Sequence, residues 1–397
     1  MHTSNGLRVT ARSVLLGALV LPPSLLAQAT QRQARFEVTT PKPPTPVRAD
    51  GKTLLGYELH VTNFDPHPLQ LRAVEVFASL TATRPIVVLR DSLLRAALQV
   101  GPAMQMASAA RGHAGSEDSP SIGAGERAIV FLWLTLSPTE PTPSSLRHRL
   151  TFAVLDSSNH ASPAVIDSII TAVDNENVLI LDPPLRGGDW LVGSGPSNSS
   201  DHRRSLIPLN GKLWLSQRFA IDWVKVGPNG NTWRGDRGRN ENFWGFGEPV
   251  LAVADGEVVT VSDSIPDNVP GKLPANTTVT NIAGNHVILR VGRSRYVMYG
   301  HLERGSVRVH AGEHVKRGDT IALLGNSGQA TAPHLHFQVM DAPSDLAAEG
   351  IPFVFERFTF VGFGRDYEPN KPHLSIPKRR EMPVDDAVVR FSESGTP

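Results

Sequence analysis

The chain has 397 residues, 40% apolar and 19% charged, a composition that supports two or three folded domains and excludes wholesale disorder. Its 39 Lys and Arg nearly cancel its 38 Asp and Glu, so no global field draws it to nucleic acid. It has no cysteine, which excludes disulfides, thiolate metal sites and cysteine nucleophiles and leaves His, Asp and Glu as donors for any transition metal. Residues 1–29 have the layout of a signal peptide. Arg8 and Arg12 precede the apolar run Val14 to Leu21, and Ala27-Gln28-Ala29 offers a small-x-small cleavage site before Thr30. Pro22-Pro23 cuts the run well short of the ~20 residues a bilayer span needs, and no later segment is long and apolar enough to cross. The expectation is an exported protein, periplasmic or extracellular, with no membrane span once the signal is removed.

A Pro-rich lead, TTPKPPTPVRADG, opens the next region, 30–177. The runs LLGYELHVTN, LQLRAVEVFA, RAIVFLWLTL and LRHRLTFAVLD follow as strands, separated by turn-rich FDPHP and SPTEPTPSS. A short helix is possible in LRDSLLRAALQV, and 107–124 reads as a surface loop. This pattern predicts an immunoglobulin-like β-sandwich. His60, His67, His113, His148 and His160 are scattered through it and read as surface residues. The Gly, Pro, Ser and Asp of 178–204 predict an irregular linker, and 205–363 is again strand after strand, a second all-β domain. The polar residues 364–397 predict an extended or disordered tail.

The chemistry concentrates in the second domain. In APHLHFQV, His334 and His336 sit two apart in a strand, so both imidazoles project from one face. Alone, that pair could be two surface histidines. However, Tyr299-Gly300-His301-Leu302 ends another strand with a third histidine, and Asp222 lies further upstream. Histidines and a carboxylate without cysteine suit a catalytic zinc that keeps one coordination position open.

The run from Asp222 to Asp341 resembles the lysostaphin-type, or LytM-domain, zinc endopeptidases of bacterial cell walls. The likeness rests on the Asp222 strand, YGHL, PHLHF and the phrases PVLAVADGEVV and AGEHVKRGDTIALLGNSGQATAPHLHF. It implies an antiparallel β domain with a groove, one Zn2+ ion, and cleavage of peptide bonds in peptidoglycan stem-peptide cross-links or in another exported peptide substrate. It also implies Asp222 and His336 as zinc ligands, and His301 and His334 as the catalytic histidines that orient water and stabilise the oxyanion. The family's first ligand, the His of His-x-x-x-Asp, falls on Arg218, which has no lone pair to offer a metal.

Two readings follow. Either the domain is metal-free, with Arg218 paired to Asp222, and binds cell wall or a partner hydrolase, or another residue supplies the third ligand. His202 is the candidate, and the Asn210-Gly211 hairpin between it and Arg218 sets the register. A two-residue loop puts His202 opposite Phe219, on the wrong face. A three-residue loop puts it opposite Arg218, on the face of Asp222, and irregular backbone before Ser205 could also bring it round.

Other features are less telling. His286 reads as a rim or structural residue, His310 and His314 as surface. Residues 227–248 interleave Trp233, Phe243 and Trp244 with Arg234, Arg237 and Arg239, either walling the groove or packing on themselves. The insertion SIPDNVPGKLPANTTVTN carries no recognisable chemistry.

Overall fold

The period-two alternation of the apolar runs is realised as strands throughout the computed structural model, which describes residues 35–101, 121–158, 160–368, 371 and 373–393. The signal-peptide reading of 1–29 and most of the loop 107–124 lie outside the described residues. The first domain runs β1 (Phe36–Thr39), β2 (Val47–Ala49), β3 (Lys52–Asn63), β4 (Leu69–Phe77), β5 (Val87–Arg90), α1 (Asp91–Ala97), β6 (Leu98–Val100), β7 (Ser121–Ile122), β8 (Arg127–Leu136), β9 (Ser145–Leu155) and β10 (Ala161–Ala172). One sheet is ordered β1-β3-β8-β6 with β2 on β3, the other β10-β9-β4-β5 with β7 on β4. Leu55, Tyr57, Leu59 and Val61 of β3 alternate inward and meet Val74 of β4 and Phe152 of β9 in a shared core.

The second domain runs β11 (Leu179–Leu181), β12 (Asp189–Gly193), α2 (Asp201–Arg204), β13 (Ile207–Leu209), β14 (Lys212–Trp214), β15 (Ile221–Val226), β16 (Pro249–Leu251), β17 (Gly256–Ser262), β18 (Asn285–Gly292), β19 (Arg295–Leu302), β20 (His314–Val315), β21 (Thr320–Leu323), β22 (Leu335–Met340), β23 (Phe353–Phe363), β24 (Ile376–Glu381) and β25 (Ala387–Arg390). Its large sheet is ordered β11-β23-β25-β12-β15-β22-β19-β18-β17-β20, with β24 on β23.

Several expectations need correction. Residues 178–204 are not irregular, because β11 and β12 join the large sheet and α2 follows them. The segment after 364 is not a disordered tail. β25 lies inside the sheet between β12 and β23 and buries Ala387, Val388 and Val389. The stretch 212–226 forms two strands, β14 and β15, with a turn at residues 216–219 between them. His148 is not on the surface, being fully buried with one ring nitrogen 2.7 Å from the Tyr57 hydroxyl and the other 3.1 Å from the Ile169 carbonyl. His60 is buried too, and burial pushes its pKa down to about 4.

His60 and Glu58 lie on the face of β3 opposite the sandwich core, and both are buried because the second domain covers that face. Ile129 and Phe131 of β8 pack with Leu206 and Leu215. Gly56 leaves room for Trp133 and Phe219, whose ring atoms would lie 3.0 Å and 3.2 Å from a Cβ placed there.

Candidate metal centre

β15 and β22 pair antiparallel with Asp222 directly opposite His336, and Gly300 of β19 lies opposite His336 on the other side. Cross-strand partners project from the same face, so carboxylate and imidazole meet. The alternate residues Trp223, Leu335, Phe337 and Val339 enter the apolar core on the other face, which fixes the register. His336 Nδ1 is 3.0 Å from Asp222 Oδ1.

His202 joins this pair, though not by the hairpin route. Leu209 pairs with Lys212 across a two-residue loop in which Asn210 (φ 53°) and Gly211 (φ 77°) are both left-handed, as a type I′ turn requires. That is the register in which strand counting turns His202 away. The strand, however, begins only at Ile207, and the helical turn α2 before it re-aims the side chain. His202 Nε2 comes within 3.4 Å of Asp222 Oδ2, and its ring stands edge-on to His336 with centroids 4.8 Å apart.

Hydrogen-bond partners set the tautomers. His202 Nδ1 lies 2.8 Å from the Ser194 carbonyl, which can only accept, so Nδ1 carries the proton and Nε2 turns its lone pair on Asp222. Ser194 holds that carbonyl in place at a left-handed φ of 44°. Gln338 Nε2 donates to the Asp345 carbonyl at 3.0 Å, which leaves its Oε1 to accept from His336 Nε2 at 2.9 Å. His336 therefore turns the Nδ1 lone pair inward. Two imidazole lone pairs and a carboxylate converge, with one donor atom from each of His202, Asp222 and His336 all within 4.8 Å of one another. With both rings neutral, acceptors would face acceptors at 3.0–3.4 Å, so a positive charge, a proton on an imidazole or a metal ion, lies between them. A tetrahedral ion with ~2.0–2.1 Å bonds to N and O has ligand edges of ~3.3 Å, so this donor set fits zinc and leaves a position open.

The charge states of Asp222 and His202 agree with that fit, while His336 without an ion favours the imidazolium and must lose its Nδ1 proton to bind one. Burial opposes ionisation of Asp222, but His202, His334 and His336 around it outweigh burial and hold the carboxyl well below the usual range. Burial holds His202 below an ordinary histidine, towards the neutral form a ligand needs. His336 is raised: burial disfavours its charge, and the Asp222 carboxylate more than compensates.

His301 and His334 flank the three. Their rings are 4.7 Å apart, and each Nδ1 lies 2.8 Å from a carbonyl, Ser327 for His301 and Ala332 for His334. Each therefore keeps Nε2 as its basic nitrogen. His334 Nε2 is 3.5 Å from Asp222 Oδ1. His301 adopts a left-handed φ of 58°, a strained conformation for a side chain with a Cβ, held by its amide bond to the Ala283 carbonyl at 3.0 Å. Burial drives its pKa well below an ordinary histidine. All five residues line a groove of about 480 Å³.

Arg218 does not face Asp222, which corrects the expectation of a charge filling the site. It sits in the turn before β15, 2% exposed, and turns to the first domain. Its Nη2 donates to Glu58 Oε2 at 2.9 Å and Glu349 Oε2 at 2.7 Å, its Nε to both Glu58 oxygens at 3.1–3.2 Å, and its Nη1 to the Gly350 carbonyl at 2.7 Å.

His286 Nδ1 donates to the nearby Gly284 carbonyl 2.8 Å away, while His310 and His314 are exposed. In 227–248, Arg237 stacks on Trp233 at 4.1 Å and Arg234 on Trp244 at 4.8 Å, so the loop packs on itself and contributes nothing to the described groove lining. The other insertion, which had no recognisable chemistry, supplies Leu273, 46% exposed, to the groove wall. Gln338 went unnoticed in the sequence, although its place two residues after His336 puts it on the same strand face.

Residues 243–347 match the family model of peptidase family M23. The matched span holds His301, His334 and His336, and begins after His202, Arg218 and Asp222. Peptidoglycan DD-endopeptidase ShyB of Vibrio cholerae serotype O1 is 33% identical over 109 residues, 27% of this chain and 21% of the relative. Glycyl-glycine endopeptidase ALE-1 of Staphylococcus capitis is 32% identical over 116 residues, 28% of this chain and 27% of the relative. Lysostaphin of Staphylococcus staphylolyticus is 31% identical over 115 residues, 28% of this chain and 20% of the relative. The chain spans about a fifth of the length of the curated relatives it matches first. Among solved structures, the catalytic domain of lysostaphin from Staphylococcus simulans matches at 24% identity and a TM-score of 0.23, covering 41% of this chain and 86% of that one. The second domain carries a region, residues 243–347, that matches peptidase family M23 and is similar to lysostaphin-type endopeptidases.

Proposed function

We propose that the protein is a zinc metallopeptidase, exported to the cell envelope, that hydrolyses peptide bonds in peptidoglycan cross-links. His202, Asp222 and His336 hold the ion in this reading. The observation that carries it is the convergence of two imidazole lone pairs on a carboxylate whose protonation is suppressed. Bound there, zinc would polarise a scissile carbonyl and lower the pKa of water to about 7. His301 and His334, each with Nδ1 committed to a carbonyl, offer Nε2 in the groove. Either ring can accept the proton of an attacking water and return it to the leaving amine, or donate to an oxygen that gains negative charge. The peptidoglycan assignment draws on the relatives' named activities, and export on the layout of residues 1–29.

The test is metal analysis of the purified chain, paired with digestion of cross-linked muropeptides. The expected result is about one zinc per chain, released amines from the muropeptides, and loss of both in His202→Ala. A wild-type chain without zinc overturns the reading in favour of a metal-free binding module. Stoichiometric zinc in His202→Ala removes His202 from the ligand set. Cleavage of exported peptides but not muropeptides moves the substrate.

A further inference from the structure

α2 has four residues, no side-chain cap and far less length than the ~12–15 residues at which an isolated helix becomes even marginal. Something outside the turn must hold it. His202 itself reaches only Ser194 and the metal site. The next residue, Arg203, is fully buried and donates to Glu58 Oε1 and to the Tyr57 and Leu132 carbonyls at 3.0 and 2.9 Å, all in β3 and β8 of the first domain. Arg204 lies over the Phe131 ring at 4.0 Å and donates to the Ala96 carbonyl, and Asn198 donates to the Phe131 carbonyl. Leu206 packs on Ile129 and Phe131. Both sides of His202 are thus fastened to the sandwich, while the His202 ring turns the other way, into the groove.

We infer that the first domain is a working part of the metal centre: Glu58 and Arg203 are positioning residues that mount His202, so metal affinity depends on the docked sandwich. This rests on the zinc reading of the site and adds a role for the domain that carries no ligand. Arg203 donates once to the Glu58 carboxylate and once each to two backbone carbonyls, and three bonds in fixed directions set its orientation as well as its distance. Glu58 also binds Arg218, so the same carboxylate anchors the turn before β15 that leads to Asp222.

The experiment measures zinc affinity of the full chain by chelator competition, alongside its melting temperature. Arg203→Met removes the mount and leaves Glu58 paired with Arg218. The expected result is a fall in zinc affinity of about 10–100-fold, the size seen when supports of metal ligands are removed. Glu349→Gln is the control, because it loosens the Arg218 cluster without touching α2. It should lower the melting temperature and leave zinc affinity unchanged. Should Arg203→Met fail to fold, Glu58→Gln carries the same expectation. Wild-type affinity in a folded Arg203→Met chain overturns the inference, as does an equal affinity loss in Glu349→Gln. A wild-type chain that binds no zinc overturns the zinc reading itself, and this inference with it.

Discussion

Restoring the family's histidine at position 218 is the substitution the sequence invites, and the structure says it harms the protein. Arg218 is enclosed between Glu58 and Glu349, each nearly or fully buried, and satisfies the Gly350 carbonyl as well. In Arg218→His, Glu58 keeps Arg203, but Glu349 keeps only the half-exposed Lys212 at 3.2 Å. Removing one partner from a buried ion pair costs about 3–5 kcal/mol, because the remaining charge stays desolvated. At ~2–4 °C per kcal/mol for a domain of this size, the melting temperature should fall by roughly 6–20 °C. No gain in zinc affinity should accompany the loss, because position 218 lies in a turn directed at the first domain and, in the proposed reading, His202 supplies the donor. Differential scanning calorimetry and chelator competition on the same samples read both quantities. A variant within about 1 °C of wild type, or one that binds zinc more tightly, would refute the reasoning.

Two further outcomes follow from the same geometry. His301→Ala and His334→Ala remove proton-transfer groups but no ligand, so turnover of muropeptides should fall by ~10²–10⁴-fold while zinc stoichiometry holds; zinc loss in either variant would mean that it coordinates. Acid should loosen the domain junction. Burial opposes the Glu58 charge, Arg218 and Arg203 overcome it, and the pKa is lowered from 4.5 to about 2. A group depressed in the folded state stabilises above its unfolded pKa and loses that contribution as pH falls through the folded one. The shift is worth about 3 kcal/mol, present above pH ~4.5 and lost between there and pH ~2. Melting temperatures across that window should drop less steeply in Glu58→Gln than in wild type, and equal slopes would contradict the assignment.

The sequence makes some of this site legible and hides the rest for physical reasons. His334 and His336 are readable because strand period two is a local rule, and Gln338 obeys the same rule unnoticed. The Asp222–His336 contact needs β15 to pair with β22, 114 residues away, which only the family likeness suggested. Strand reasoning failed at Arg218, where the run of polar Ser216, Gln217 and Arg218 interrupts the alternation and the backbone turns. It failed at His202 as well. The hairpin register is the one that excludes His202, and a four-residue helical turn that no periodicity announces overrides it. β25 was lost to its brevity: Ala387–Arg390 is too short to show a pattern, and only its place between β12 and β23 buries it.

The arginine at 218, where the family likeness led to an expected histidine, and the turn that carries His202 meet at one contact. Glu58 is a buried carboxylate on the outer face of β3, and a charge there needs cations close by. It receives two, Arg203 from the turn that carries His202 and Arg218 from the turn that leads to Asp222. A histidine at 218 would leave this pocket short of positive charge at neutral pH. Without Arg203, the turn at 201–204 would lose its buried tie to Glu58 and to the Tyr57 and Leu132 carbonyls. In the proposed zinc reading, position 218 need supply no donor because His202 does, and Glu58, held between the two arginines, ties down the turn that presents His202.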